Sequence, residues 1–193
     1  SKYGSRGEEV RKIQTKLKRW GYYKGNVDGI YGSGTLEAVK YFQRKNGLKV
    51  DGIAGKETLK AMGIMTSSTS SSTSSSNSND VNLLARLIYG EARGEPYTGQ
   101  VAVGAVVMNR VKNSSFPNTI SGVVYQSGSF DVVSDGQINL SPNSTAKKAA
   151  QDALNGWDPS YGAIYYFNPK TATNKWIWSR PVTVVIGNHR FCK

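Results

Sequence analysis

Hydrophobic positions along the chain fall into two families of pattern, separated by a stretch with none. From Glu8, the positions Val10, Ile13, Gln14 and Leu17 share one face of a helix that stops near Gly21. A second helical pattern carries Leu36, Val39 and Tyr41-Phe42. The segment that enters it, Val27-Asp28-Gly29-Ile30-Tyr31-Gly32-Ser33-Gly34-Thr35-Leu36-Glu37-Ala38, returns 23 residues later as Val50-Asp51-Gly52-Ile53-Ala54-Gly55-Lys56-Glu57-Thr58-Leu59-Lys60-Ala61. Each copy joins an Asp-Gly turn to a threonine, Thr35 or Thr58, that stands where an N-cap precedes the apolar run. Three short helices around a small core are predicted for residues 1–65. Residues 66–79 contain only Thr, Ser and Asn. They bury too little to offset the entropy of ordering, which predicts a flexible linker. Beyond it, with Asp80 as N-cap, Val81, Leu84, Ala85 and Ile88 recur at i, i+3, i+4 and i+7, a helix with one buried face. Gln100–Val111 is apolar nearly all round and predicts a buried central helix. Residues 145–154 predict a helix with Asp152 on its polar face, and 163–167 and 182–186 read as strands. The fold class is therefore two domains, a small all-α three-helix unit (1–65) and an α+β unit (80–193), joined by the linker 66–79.

Charge narrows the choice of partner. The chain has 193 residues and a net charge of +12. Residues 1–65 carry 14 basic and 6 acidic side chains, hence +8, and residues 66–193 carry 11 and 7, hence +4. A polyanion such as a nucleic acid, an anionic membrane surface or an acidic wall polymer fits this balance. No groove-reading motif accompanies the charge, so nucleic-acid binding is not expected. No apolar run approaches the roughly 20 residues of a membrane span, and the first residues lack a charged-then-apolar leader. Such a leader can be removed before the mature chain appears.

Candidate chemistry follows by elimination. One histidine and one cysteine leave too few ligands of the usual kinds for a catalytic zinc. His189 and Cys192 stand near the C-terminus without the helix start that would activate a thiol. Phosphate-binding glycine loops are absent. Carboxylate chemistry remains, with few carboxylates to perform it. Glu91 and Glu95 are the only glutamates of residues 66–193, in Tyr89-Gly90-Glu91-Ala92-Arg93-Gly94-Glu95. Glu91 follows Ile88 by three residues and so shares the buried face, where lost hydration would raise its pKa. The alternative is a solvated acid paired with Arg86 or Arg93. Asp131 and Asp135 are the other unassigned acids. Tyr165, Tyr166, Trp176 and Trp178, beside Asn168 and Asn174, line a sugar-binding groove or fill a core.

Two resemblances give these residues a context. Val10…Gln14…Leu17, Gly21-Tyr22-Tyr23, both Val-Asp-Gly turns, Val39…Phe42-Gln43 and Gly47-Leu48, spanning Gly7 to about Met62, resemble the peptidoglycan-binding domain of many bacterial wall hydrolases. That resemblance implies glycan or peptide binding. Tyr22, Tyr23 and Tyr31 are the stacking candidates, and each can equally be core. Tyr-Gly-Glu-Ala-Arg-Gly-Glu-Pro-Tyr at 89–97, Gly-Gln-Val-Ala-Val at 99–103, Asn109-Arg110-Val111, Phe116-Pro117, Asp135-Gly136-Gln137, Asn155-Gly156-Trp157-Asp158-Pro159, Tyr165-Tyr166-Phe167-Asn168-Pro169 and Ile186-Gly187-Asn188-His189-Arg190-Phe191-Cys192-Lys193 together resemble the catalytic domain of spore cortex-lytic enzymes, over about all of 81–193.

The second resemblance implies a lysozyme-like fold and a lytic transglycosylase that cleaves the bond between muramic acid and glucosamine in spore cortex peptidoglycan during germination, giving 1,6-anhydro products. It also implies Glu91 as catalytic acid. Around that acid, Glu95, Gln137, Tyr166 and Asn168 are expected to shape the groove, and Trp176 and Trp178 are substrate-binding candidates that can equally be core. No cofactor or metal is expected. The implied partner is muramic-lactam-containing cortex glycan, with room for a regulatory protein, and the implied location is outside the cytoplasm, at the cortex and the periphery of the inner spore membrane. Two alternatives stand beside it: a hydrolytic muramidase using Glu91 and Asp135, and a non-catalytic wall-binding protein.

Overall fold

The computed structural model describes residues 1–64 and 74–193. The chain divides into two compact units, residues 1–70 and 71–193. Of the predicted linker 66–79, residues 66–73 lie outside the described residues, whereas the chain is already helical from Ser74.

In the first unit α1 (Glu8–Arg19), α2 (Ser33–Lys45) and α3 (Lys56–Ala61) surround a core of Val10, Ile13, Leu17, Trp20, Val39, Phe42 and Leu59. The internal repeat has a physical basis in two buried glutamines. Gln14 Nε2 donates to Asp28 Oδ1, the Ile30 carbonyl and Thr35 Oγ1, at 2.8, 2.9 and 3.1 Å, and its Oε1 accepts from the Gly29 N–H at 2.8 Å. Gln43 repeats the set on Asp51, Ile53, Thr58 and Gly52, at 3.0, 3.0, 3.1 and 2.8 Å. Each amide thus fastens one Asp-Gly turn to the helix that follows it, with its polar atoms satisfied away from water. This corrects the expected caps. Gly32 and Gly55 are the N-caps, while Thr35 and Thr58 sit inside the first turn with their side chains turned to the glutamines. Tyr31 is a further correction: it is fully buried and its hydroxyl donates to the Gly52 carbonyl at 2.9 Å, which removes it as a surface for stacking sugars.

The second unit is mostly helical with a small sheet. Its helices are α4 (Ser74–Ala92), α5 (Tyr97–Val111), α6 (Ile120–Val124), α7 (Asp131–Ser134), α8 (Ser144–Leu154) and α9 (Lys175–Trp178), with a 3-10 turn at Gln137–Asn139. Because α4 starts at Ser74, Asp80 lies within the helix and does not cap it. Residues Val101 to Val107 of α5 are all buried, as its unbroken apolar run requires, and α4 and α8 pack on it. Asp152, expected on a polar face, is buried instead and accepts from the Tyr97 hydroxyl at 2.6 Å. The sheet is antiparallel with order β1-β3-β2, from β1 (Tyr165–Phe167), β2 (Val182–Ile186) and β3 (His189–Cys192). The central strand was not foreseen, since His-Arg-Phe-Cys is too short and mixed to show a period. Among the described residues no helix is long and apolar enough to cross a membrane.

Candidate active site

Glu91 occupies the last turn of α4. Leu84, Leu87 and Ile88, one to two turns before it, are wholly buried, so the helical period carries its carboxyl towards the packed side. There the Tyr166 hydroxyl donates to Oε2 at 2.8 Å and the Val132 N–H donates to Oε1 at 3.4 Å. Burial raises its pKa above the ordinary glutamate value. The two hydrogen bonds oppose that rise, and the negative charges of Asp131 and Asp135 add to it. The negative end of the α4 dipole works in the same direction as burial. The expected alternative, a pairing with Arg86 or Arg93, does not form: Arg86 is exposed, and Arg93 lies over the Tyr89 ring, 5.5 Å from its centroid.

The residue before the acid explains how α7 comes so close. A Cβ on Gly90 would stand 2.6 Å from Val132 Cγ1. Glycine here lets Val132, itself buried, press against α4 and bring its N–H to Glu91.

Tyr166 reaches Glu91 because neighbouring residues of a strand face opposite ways. Tyr165 and Phe167 turn to the other side of β1, while the Tyr166 ring packs on His189 and Phe191 at 5.1 and 5.7 Å. Burial, and then the adjacent Glu91 charge, push its hydroxyl well above the usual tyrosine pKa, so it remains a proton-bearing donor. Burial likewise depresses His189, against the opposing charge of Glu95, and favours the neutral ring. Beneath lies Arg110, which had no predicted role beyond its place in the Asn109-Arg110-Val111 motif. Its Nε donates to the Ile164 carbonyl at 2.7 Å, and the faces of Phe130, Phe116 and Tyr165 surround its guanidinium at 5.0 to 5.4 Å. This buried cation also interacts electrostatically with Glu91. Its sequence signals are its place in the Asn109-Arg110-Val111 motif and a charge at the end of an otherwise apolar helix.

The remaining expected site residues have partners other than Glu91. Glu95 accepts from the N–H and Nδ2 of Asn188 at 2.9 and 3.0 Å, tying the α4–α5 connection to the β2–β3 turn. Partial burial raises its pKa, but the two Asn188 donors outweigh that and leave it below the ordinary value. Gly187 shapes this contact, because it has φ +58° and any Cβ there would collide with the Glu95 carboxylate. Gln137 donates from its backbone and its side chain to both Asp135 oxygens, at 2.9 and 2.8 Å. Asn168 closes its own turn by accepting from the Lys170 N–H at 2.9 Å. Trp176 and Trp178 pack edge-on against Tyr165 and Phe167 at 5.0 and 5.1 Å and keep 49% and 44% of their surface exposed. In the first unit Tyr22 and Tyr23 line a recess of about 510 Å³ with Tyr41, Lys24, Glu37 and Arg44. Among the described residues no three His, Cys, Asp or Glu side chains gather as a cation site.

Comparison with known proteins gives this geometry a family. Residues 94–192 match the Cell Wall Hydrolase family and residues 6–62 match a peptidoglycan binding domain. The chain is 48% identical, over 98% of its length, to a spore cortex-lytic enzyme of Bacillus cereus, 85% of which it covers. To a spore cortex-lytic enzyme of Bacillus subtilis it is 35% identical over 98% of its length, covering 88% of that protein. Among solved structures it resembles the catalytic domain of the Bacillus cereus SleB protein, with 62% identity and a TM-score of 0.58, over 60% of this chain and 91% of that one. It also resembles the catalytic domain of the germination-specific lytic transglycosylase SleB from Bacillus anthracis, with 56% identity and a TM-score of 0.58, over 67% of this chain and 100% of that one. A peptidoglycan-binding unit, a cell wall hydrolase unit and relatives matched along nearly the whole length place this chain in the family of spore cortex-lytic enzymes.

Proposed function

We propose that the chain is a germination-specific lytic transglycosylase of spore cortex peptidoglycan, with Glu91 as both acid and base. Protonated Glu91 donates to the oxygen bridging muramic acid and glucosamine, and the bond from that oxygen to the muramic anomeric carbon breaks. The carboxylate so formed takes the proton of the C6 hydroxyl on the same muramic unit, whose oxygen closes on the anomeric carbon. Atoms balance without water: the products are a free glucosamine hydroxyl and a 1,6-anhydro end. The observation that carries this reading is the half-buried Glu91 carboxyl, held by Tyr166 and raised in pKa by its surroundings.

A hydrolase needs a second carboxylate, about 5 to 5.5 Å away if retaining and roughly 6.5 to 9.5 Å if inverting. Asp135, the candidate for that role, is exposed, and both its oxygens accept from Gln137. That favours the single-acid reaction. A helix ending in the acid, beside a small antiparallel sheet, supports the lysozyme-like description of this unit. Residues 1–65 are then the binding domain and the catalytic domain begins with α4 at Ser74, with the segment between them as linker, and the enzyme acts in the cortex, outside the inner spore membrane. In the binding domain, the recess lined by Tyr22, Tyr23 and Tyr41 supplies aromatic faces for sugar, and Lys24 and Arg44 suit the carboxylates of the polymer.

The test is Glu91→Gln. It should abolish digestion of purified cortex while leaving binding to it intact, and mass spectrometry of wild-type products should find ends lighter by one water than reducing ends. Appreciable digestion by the variant, or reducing ends throughout, would overturn the assignment.

A further inference from the structure

The side of the sheet that looks away from Tyr166 carries an exposed aromatic and cationic surface that the reaction does not use. Tyr165, Phe167 and Arg190 share that side, because Phe167 and Arg190 are paired across the ladder. Val185, paired with Arg190 on the next strand, joins them and is 60% exposed. The short helix α9 lays Trp176 on Tyr165 and Trp178 on Phe167. Both indoles are fixed in place and still open to solvent. Trp178 Nε1 donates to the Ala172 carbonyl at 3.1 Å with Arg190 over its ring at 5.3 Å, and Arg180 covers Trp176 at 4.9 Å. The last acidic residue of the chain is Asp158, so residues 159–193 hold Lys170, Lys175, Arg180, Arg190 and Lys193 with no acid among them.

We infer that Trp176 and Trp178 form a second glycan platform, which grips a cortex strand on the sheet side opposite the Glu91–Tyr166 pair. Rigid indole faces suit the apolar faces of sugar rings and lose little entropy on contact. The arginines above them suit the carboxylates that a wall glycan carries along its length, whereas an acid-poor, cationic surface is a poor match for a basic partner or a second copy of this chain. Because Tyr165 and Phe167, on which the indoles pack, alternate with Tyr166 along β1, the platform holds long polymer and plays no part in cleaving a short one. The proposal rests on the glycan-cleaving reading above and gives the enzyme a contact through which to stay on insoluble substrate between cuts.

The experiment uses the full chain. In the Glu91→Gln background, so that polymer is not consumed, Trp176→Ala with Trp178→Ala should weaken co-sedimentation with purified cortex by roughly tenfold. With Glu91 present, the same pair should slow digestion of cortex but cleave a soluble tetrasaccharide at the wild-type rate. That rate also shows that the variant folds. A second measurement needs no tryptophan variant and uses the Glu91→Gln chain. Of the four tryptophans, Trp20 and Trp157 are only 2% and 9% exposed, so acrylamide quenching reports on Trp176 and Trp178. Soluble cortex glycan should shield that signal. Unchanged cortex binding, or quenching unaffected by saturating glycan, would overturn the platform. So would an equal loss of tetrasaccharide cleavage, which would place the indoles in the catalytic groove, or sedimentation showing that the wild type self-associates through this surface. Failure of the glycan-cleaving reading would look different, as no cleavage of the tetrasaccharide by the wild type itself.

Discussion

A carboxylic acid that must give up a proton and then take one back serves best when neither form is strongly preferred at working pH. Opposing influences act on Glu91, with a net rise in pKa: burial, the helix end and two nearby aspartates favour the neutral form, while Tyr166 and the Val132 N–H favour the charged one. Linkage turns this into a stability prediction. A pKa raised by folding contributes stability that is fully present below the unfolded value and is lost as pH rises through the folded value. Wild-type Glu91 therefore weakens the second unit at neutral pH. Glu91→Gln should melt a few degrees higher than wild type at pH 7, with the gap closing as pH falls below the ordinary glutamate range. Calorimetry across that range checks it, and a variant no more stable at pH 7 would mean that burial costs this carboxyl nothing. At this scale the sequence was informative in part. Placing Glu91 on the buried side followed from its spacing to Ile88. Its partner did not, because 75 residues separate Tyr166 from Glu91 and only the folded chain brings them together.

At the scale of elements, the short α7 is set by a single missing side chain. Val132 occupies the space a Cβ on Gly90 would need, 2.6 Å from its Cγ1. Gly90→Ala should push α7 off α4, costing about 1 to 3 kcal/mol of stability by overpacking and roughly tenfold in activity as the Val132 N–H leaves Glu91. Adding Val132→Ala opens the space again and should recover much of both. Urea melts and turnover of soluble glycan measure the two effects, and no recovery in the double variant would mean that the glycine serves another purpose. The elements that the sequence displayed were those with enough turns to show a period, such as the amphipathic α1 and the buried α5. The repeat also displayed its own logic, in that two copies of one turn implied two copies of one packing. What holds each copy, Gln14 or Gln43, lies outside the repeated segment and sits on an apolar face, where a period alone counts it as a polar interruption. Caps were misplaced for the same reason: Thr35 and Thr58 look like caps locally, but tertiary acceptors and donors claim their hydroxyls.

At the scale of the whole molecule, two units share one chain and divide the work of finding and cutting an insoluble polymer. The first carries +8 of the +12 net charge, which suits an anionic wall. A shared linker gives the second binding event a high effective concentration. Residues 74–193, cut ahead of α4 because that helix begins at Ser74, should cleave soluble glycan at the full-length rate and bind cortex roughly a hundredfold more weakly. Co-sedimentation and a soluble-substrate assay separate the two quantities, and undiminished cortex binding would show that the first unit adds nothing to it.

By itself the sequence determined the division into two units, the helical character of each and the place of Glu91 on a buried helix face, because periodicity and composition are properties of the chain read in order. Only the tertiary structure decided which groups act on that acid. The Tyr166 hydroxyl, the Val132 N–H and the buried Arg110 arrive from separate elements, and the pKa of a carboxyl depends on what surrounds it in space. The same holds for the indoles. Trp176 and Trp178 read equally as groove or core in sequence, and the fold packs them on Tyr165 and Phe167 with 49% and 44% of their surface exposed.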